Sequence, residues 1–186
     1  MDQLLLLCSN GLLLITGKNK FILKKILGNV DQVSFENVKS YVSELEIKKT
    51  ILLSNEILVL YDKTIQLHDF EDSLETFSFE SELQDISAFE TGHALVVFLL
   101  CCEGTVYYEH LRSLQIEERG FENCLYDFID SLACSIFYSQ MYKTIFVGHK
   151  NNVCSMINVQ NISSKENIRF NGVQRIKVKS FFIPFI

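Results

Sequence analysis

The chain is made of short apolar runs of strand length that come in pairs, each pair joined by a tight polar connection. The runs cover residues 4–8 and 12–16, 51–53 and 57–61, 94–102 and 105–108, and 144–147 and 153–159. Runs this short, bounded by turn residues, fit β-strands and fall short of amphipathic helices. The connections are Ser9-Asn10-Gly11, Ser54-Asn55-Glu56, Cys102-Glu103-Gly104 and Gly148-His149-Lys150-Asn151-Asn152. Glycine and asparagine tolerate positive φ at low cost, so each pair reads as a β-hairpin.

The hairpin turns, taken near Asn10, Asn55, Glu103 and Lys150, lie 45, 48 and 47 residues apart. A period of about 40 to 50 residues built from hairpins is what blades of four antiparallel strands produce. Further β-like stretches flank the hairpins, at 41–47, 85–89 and 131–138 before the last three and at 20–27, 64–70 and 113–118 after the first three. One unit then reads as strand, hairpin, strand. The predicted fold is all-β: one propeller-like domain over 1–186, with units near 1–30, 31–80, 81–122 and 123–172 and a tail over 173–186. A β-sandwich is the alternative if the period is coincidental.

The segment Glu56-Ile57-Leu58-Val59-Leu60-Tyr61-Asp62 ends in an aromatic-Asp pair, and Gly148-His149 forms a Gly-His dipeptide. On these residues and the strand period the chain resembles a degenerate WD-repeat β-propeller, at the level of the superfamily. The family places Trp-Asp where Tyr61-Asp62 stands and Gly-His before the first strand of a blade, whereas this chain has no Trp and carries Gly-His inside a hairpin. Four units are the minimum for a propeller, which closes with about four to eight blades. Two arrangements follow: 173–186 supplies a missing first strand to the opening unit and closes the ring, or the chain is a fragment or short form of a larger propeller. The second is preferred, because the segment Ser180-Phe181-Phe182-Ile183-Pro184-Phe185-Ile186 is very apolar for a free end; its open sheet edges would then be covered by another polypeptide.

Charge excludes one class of function. The net charge is −6, which argues against a nucleic-acid or anionic-lipid binder that works through a global positive field. The early leucines do not make an export signal, since Asp2 sits where positive charge is needed and the run breaks at Ser9 after less than the about 7 to 15 apolar residues required. No run reaches the roughly 18 apolar residues of a membrane helix. The expected location is intracellular, cytoplasmic or nuclear, with no membrane span. In that setting the six cysteines, at 8, 101, 102, 124, 134 and 154, read as structural thiols. They contain no C-x-x-C pair, so no metal site is expected.

No catalytic motif survives inspection. The stretch 11–18 has glycines enclosing five residues where a phosphate loop needs four, and Asn19 replaces the required hydroxyl. The histidines at 68, 93, 110 and 149 are scattered one per unit, without ligand spacing, and read as loop or strand-end residues. A nucleophile elbow is absent. The chain is therefore read as a non-enzyme with no cofactor.

Three sets of residues are candidates for partner binding. Acidic residues crowd between 62 and 90, where Asp69, Glu71, Asp72 and Glu75 form the centre of a rim interleaved with Phe70, Phe77, Phe79 and Phe89. Such a rim gives orientation and on-rate toward a basic partner. Tyr107, Tyr108 and Tyr142, with Tyr126 and Tyr138 beside them, are candidate anchors, because tyrosine buries area at low entropic cost and keeps a polar tip. Lys24 and Lys25 near the start and Lys177 and Lys179 near the end would form one positive patch on a closed ring. The function read from the sequence is a non-catalytic protein-interaction scaffold, a propeller-type subunit within a multi-subunit complex of the trafficking, kinetochore, nuclear-pore or DNA-repair kind. The alternative is a nucleic-acid or small-ligand binding module that uses the basic residues of both termini.

Overall fold

Every regular element among the described residues is a β-strand. The computed structural model describes residues 5–29, 32–71, 73–91, 94–112, 123–127, 133–162 and 169–177, with the backbone alone at 5–9, 29, 112 and 123–127. Sixteen strands form four antiparallel sheets of four. The first holds β1 (Leu5–Ser9), β2 (Leu12–Thr16), β3 (Lys20–Asn29) and β4 (Gln32–Val42), and the second β5 (Lys49–Leu52), β6 (Glu56–Leu60), β7 (Thr64–Asp69) and β8 (Leu74–Ser78). The third holds β9 (Leu83–Glu90), β10 (Leu95–Cys101), β11 (Thr105–Arg112) and β12 (Asn123–Asp127), and the fourth β13 (Ala133–Ser139), β14 (Thr144–His149), β15 (Val153–Gln160) and β16 (Arg169–Lys177). In each sheet the strands lie in chain order, so every connection is a hairpin. Four separate sheets replace the two layers that a β-sandwich requires.

The chain divides into two compact units, Met1–Glu80 and Ser81–Ile186, each carrying two sheets. In the first, Leu14, Phe21 and Leu23 of the first sheet bury against Ile57, Val59 and Tyr61 of the second. In the second, Phe89, Val96, Phe98, Leu100 and Val106 of the third sheet bury against Ile136, Tyr138, Ile145, Val147, Ile157 and Val159 of the fourth. Alternation decides which residues take part: in β14, Ile145 and Val147 point into the core while Phe146 points away. Each fully buried side chain of this size contributes about 1.5 to 3 kcal/mol.

Turn chemistry sets the hairpins. Asn10 and Gly11 have φ of 50° and 74°, the paired left-handed conformation of a two-residue hairpin loop between β1 and β2. The 45- to 48-residue hairpin period, however, joins hairpins of two kinds. The turns near Asn10 and Asn55 connect the first and second strands of their sheets, and those near Glu103 and Lys150 connect the second and third. The sheets begin at Leu5, Lys49, Leu83 and Ala133, so the true spacings are 44, 34 and 50 residues.

Two strand assignments change as a result. The first sheet lacks no strand, because β4 is its fourth; the expected strand over 41–47 does not form beyond Val42, and β8 supplies the second sheet's fourth strand. The terminal β-like stretch belongs to the fourth sheet, where Val173 pairs with Ile157 and Lys177 with Val153, and not to the opening unit. The sequence signal was the same in both cases, since alternation reveals a strand but not its neighbour. The expected strand over 113–118 and residues 178–186 lie outside the described residues.

Candidate functional site

The sheets are joined within each unit by polar contacts as well as apolar ones. On β9, Asp85 Oδ2 accepts the Ile136 N–H at 2.8 Å and Ser87 Oγ accepts the Tyr138 N–H at 3.0 Å. Both donors lie on β13, the edge strand of the fourth sheet, and an edge leaves such donors unpaired unless something covers them. Gln84 Nε2 adds a long contact to the Cys134 carbonyl at 3.5 Å. Tyr138 then packs its ring against Phe89 and Phe98, with centroids at 5.1 and 5.5 Å. In the first unit the corresponding polar contact is Thr16 Oγ1 to Thr50 Oγ1, at 2.7 Å and buried.

A second polar centre lies inside the first unit. His68 on β7 is 2% exposed, with Phe21 and Tyr41 ring centroids at 5.1 and 4.5 Å. Its Nε2 donates to Gln66 Oε1 at 3.1 Å, and the Tyr61 hydroxyl donates to the same oxygen at 3.1 Å. Burial lowers the His68 pKa from 6.5 to about 4, the nearby Lys39 charge adds to the lowering, and Asp69 opposes it. Burial also raises the Tyr61 pKa. The ring at position 68 is therefore a neutral core histidine near pH 7. His110 on β11 is also buried, and its Nε2 lies 2.9 Å from the Ile162 carbonyl. Both are strand residues with buried rings, each held by a hydrogen bond at Nε2, where the sequence predicts loop or strand-end positions. His149 ends β14 and meets Ser155 Oγ at 2.8 Å, and His93 lies outside the described residues.

The candidates from the sequence fall in different environments. Asp69 is half-buried, and its Oδ1 accepts the N–H groups of Glu71 and Ser73 at 2.9 and 2.7 Å, so its carboxylate shapes the β7–β8 turn. Its backbone carbonyl accepts Lys39 Nζ at 2.5 Å. Glu71 is exposed, Glu75 is half-buried on the edge strand β8, and Asp72 lies outside the described residues. Tyr108 belongs to the core of the second unit, with its ring 4.9 Å from that of Phe170 and its pKa raised by burial. Tyr107 is half-buried on β11, whereas Tyr142, in the β13–β14 turn, is 65% exposed. Lys24 and Lys25 point to opposite faces of β3: Lys24 Nζ lies 6.0 Å from the Phe35 ring centroid, and Lys25 is exposed and pairs in register with Glu36. Lys177 is exposed at the end of β16, and Lys179 lies outside the described residues.

The feature that sequence reasoning missed is a pair of open sheet faces. On the fourth sheet, the side turned away from the core carries Phe137, Phe146 and Met156 in one cross-strand row, with Ile176 on the next. Phe137 is 62% exposed. A groove of about 360 Å³ opens on this face among Tyr142, Phe146, Met156, Asn158 and Asn171. On the first sheet, the side away from the second carries Ile15, Ile22 and Ile26 with Phe35 and Val42, of which Val42 is 72% exposed. Alternation marked both sides of these strands as apolar; only the packing reveals which side is left open.

No group of three His, Cys, Asp or Glu side chains among the described residues is placed to hold a metal ion. Cys101, Cys102, Cys134 and Cys154 carry reduced thiols. No helix among the described residues is long and apolar enough to cross a membrane.

No family model matches the chain, and no curated protein matches it. Solved structures do. Hsv2 of Kluyveromyces lactis superposes with a TM-score of 0.63 at 10% identity, over 94% of this chain and 61% of that one. The Pan2 WD40 domain of Neurospora crassa gives 0.55 at 9% identity, over 91% of this chain and 47% of that one. The sheets have the fold of β-propeller blades, as in these structures. The chain spans about three fifths of the length of the Hsv2 chain. At such identities the likeness carries the fold alone.

Proposed function

We propose that this chain is a non-catalytic, intracellular scaffold subunit that binds other proteins through its open sheet faces and strand edges, within a multi-subunit complex. The observation that carries the reading is the pair of exposed apolar faces, with Val42 at 72%, Phe35 at 52% and Phe137 at 62% exposure. Contiguous apolar surface on a soluble domain marks sites of protein association. The propeller fold supports the same role, since its blades present faces, edges and loops without requiring an active centre. Of the residues singled out by sequence, exposed Tyr142 borders the groove on the fourth sheet's open face and is available as a contact.

The basic-patch alternative lacks comparable support, because Lys24 lies over Phe35 and Lys25 points to the opposite face of its strand. Affinity purification of the tagged chain from its own cells, with quantitative mass spectrometry, tests the proposal. A reproducible set of other proteins at stoichiometric level is expected, unchanged by moderate salt. Recovery of the chain free of other proteins would overturn it.

A further inference from the structure

Asn-Gly is a chemically reactive pair. Glycine has no side chain to shield its backbone nitrogen, which can close on the side-chain amide carbon of the asparagine before it. The chain holds this pair twice, at Asn10-Gly11 and Asn171-Gly172. Ring closure requires the asparagine backbone to rotate and the following peptide to turn, so a strand ladder that fixes these residues slows it.

The fold treats the two pairs differently. Asn10 and Gly11 are the loop residues between β1 and β2, whose ladder ends at Ser9 with Leu12. Both are exposed, and a Cβ on Gly11 would meet nothing within 4 Å, so the space over this peptide is open. The bond that ties the loop to β3 uses the Gly11 carbonyl, which accepts the Ile26 N–H at 2.8 Å and leaves the Gly11 nitrogen out of the contact. Asn171 is also exposed but lies inside β16, in register with Asn158. The residues that flank this second pair hold the strand down: Phe170 meets the Tyr108 ring with centroids 4.9 Å apart, and Val173 packs on the core of the second unit.

We propose that Asn10 is a site of spontaneous deamidation and isomerisation, with water as co-reactant, and that it reacts ahead of Asn171. The Gly11 nitrogen attacks the Asn10 side-chain carbon and forms a C–N bond; the side-chain amide nitrogen leaves as ammonia, taking up the proton that Gly11 loses. Water then opens the cyclic imide. Cleavage of the new bond gives aspartate, and cleavage of the original main-chain bond gives isoaspartate, in which the chain runs through the side chain and is one carbon longer. Either product lowers the net charge by one unit from −6. Aspartate keeps the turn, since Asp-Gly suits the same two-residue loop. Isoaspartate lengthens the loop that joins Ser9 to Leu12 and so should release the Ile26 N–H from Gly11.

The test is to age the purified 186-residue chain at about pH 8 and 37 °C, with and without urea, and to follow it by peptide mass spectrometry after digestion under mildly acidic conditions. In the folded chain the Asn10 peptide should convert to aspartyl and isoaspartyl forms at least about tenfold faster than the Asn171 peptide, because Asn171 waits on local opening of β16. In urea the two rates should converge. Labelled methyl transfer by an isoaspartyl methyltransferase should mark the same Asn10 peptide and vanish from it in Asn10→Gln. Hydrogen exchange at Ile26 should quicken in the aged chain and stay unchanged in Asn10→Asp, which carries the new charge on an ordinary backbone.

An Asn171 rate equal to or above that of Asn10 in the folded chain would overturn the proposal. So would an Asn10 that reacts in urea alone, which would mean that the folded turn protects it.

Discussion

Acidification should destabilise the first unit through His68, whose ring is 2% exposed and bonded to Gln66. Its pKa is about 4 in the folded chain against 6.5 when unfolded. The folded value is the lower one, so the unfolded chain takes up the proton first as pH falls. The stabilisation is whole above pH 6.5, is lost progressively between pH 6.5 and about 4, and changes little below that. Linkage puts the loss at about 2 kcal/mol between pH 7 and pH 5, with a limit of about 3 kcal/mol. Such a loss is a large share of the stability of a small domain. The assay is urea denaturation followed by circular dichroism at both pH values, for the natural chain and for His68→Phe. Other titrating groups contribute to both proteins and cancel in the difference. The natural chain should lose about 2 kcal/mol more than the variant over this range. A difference below about 0.5 kcal/mol would show that His68 is protonated without cost and that its burial is not what the packing implies.

Asp85→Ala removes the acceptor of the Ile136 N–H, a charged hydrogen bond across two sheets, and should destabilise the second unit by about 1.5 to 3 kcal/mol. Hydrogen exchange should show faster opening at Ile136, and unchanged exchange there would refute the role assigned to the carboxylate. Gly28 has φ of 99°, and a Cβ on it would meet the Gln32 carbonyl oxygen at 1.9 Å. Gly28→Ala should therefore lower thermal stability more than Gly11→Ala, whose Cβ meets nothing within 4 Å; the expected costs are at least about 3 kcal/mol and about 1 kcal/mol. Equal melting temperatures for the two variants would count against the β3–β4 hairpin geometry.

Some of this was legible in residues alone. The apolar runs and the Asn10-Gly11 turn led to an all-β chain of propeller blades, because strand alternation and turn chemistry are local properties. Asp85 and Ser87 gave no signal, since an isolated polar residue in a strand looks the same whether it meets water or caps a neighbouring sheet. His68 looked like a strand-end residue for a related reason: Phe21 and Tyr41, which close around it, lie far away in sequence.

The sequence by itself determined the class of element, the number of sheets and the polarity of most strand faces, all of which follow from a two-residue repeat and from residues that permit a left-handed turn. Tertiary structure alone decided which strands share a sheet, so that β4 completes the first sheet and β16 the fourth. It also decided which apolar faces are covered and which stay open. Both are choices of neighbour, and hydrophobic burial is non-directional. A run such as that containing Phe146 and Val147 carries two apolar sides, and only the neighbouring sheet determines which one meets the core.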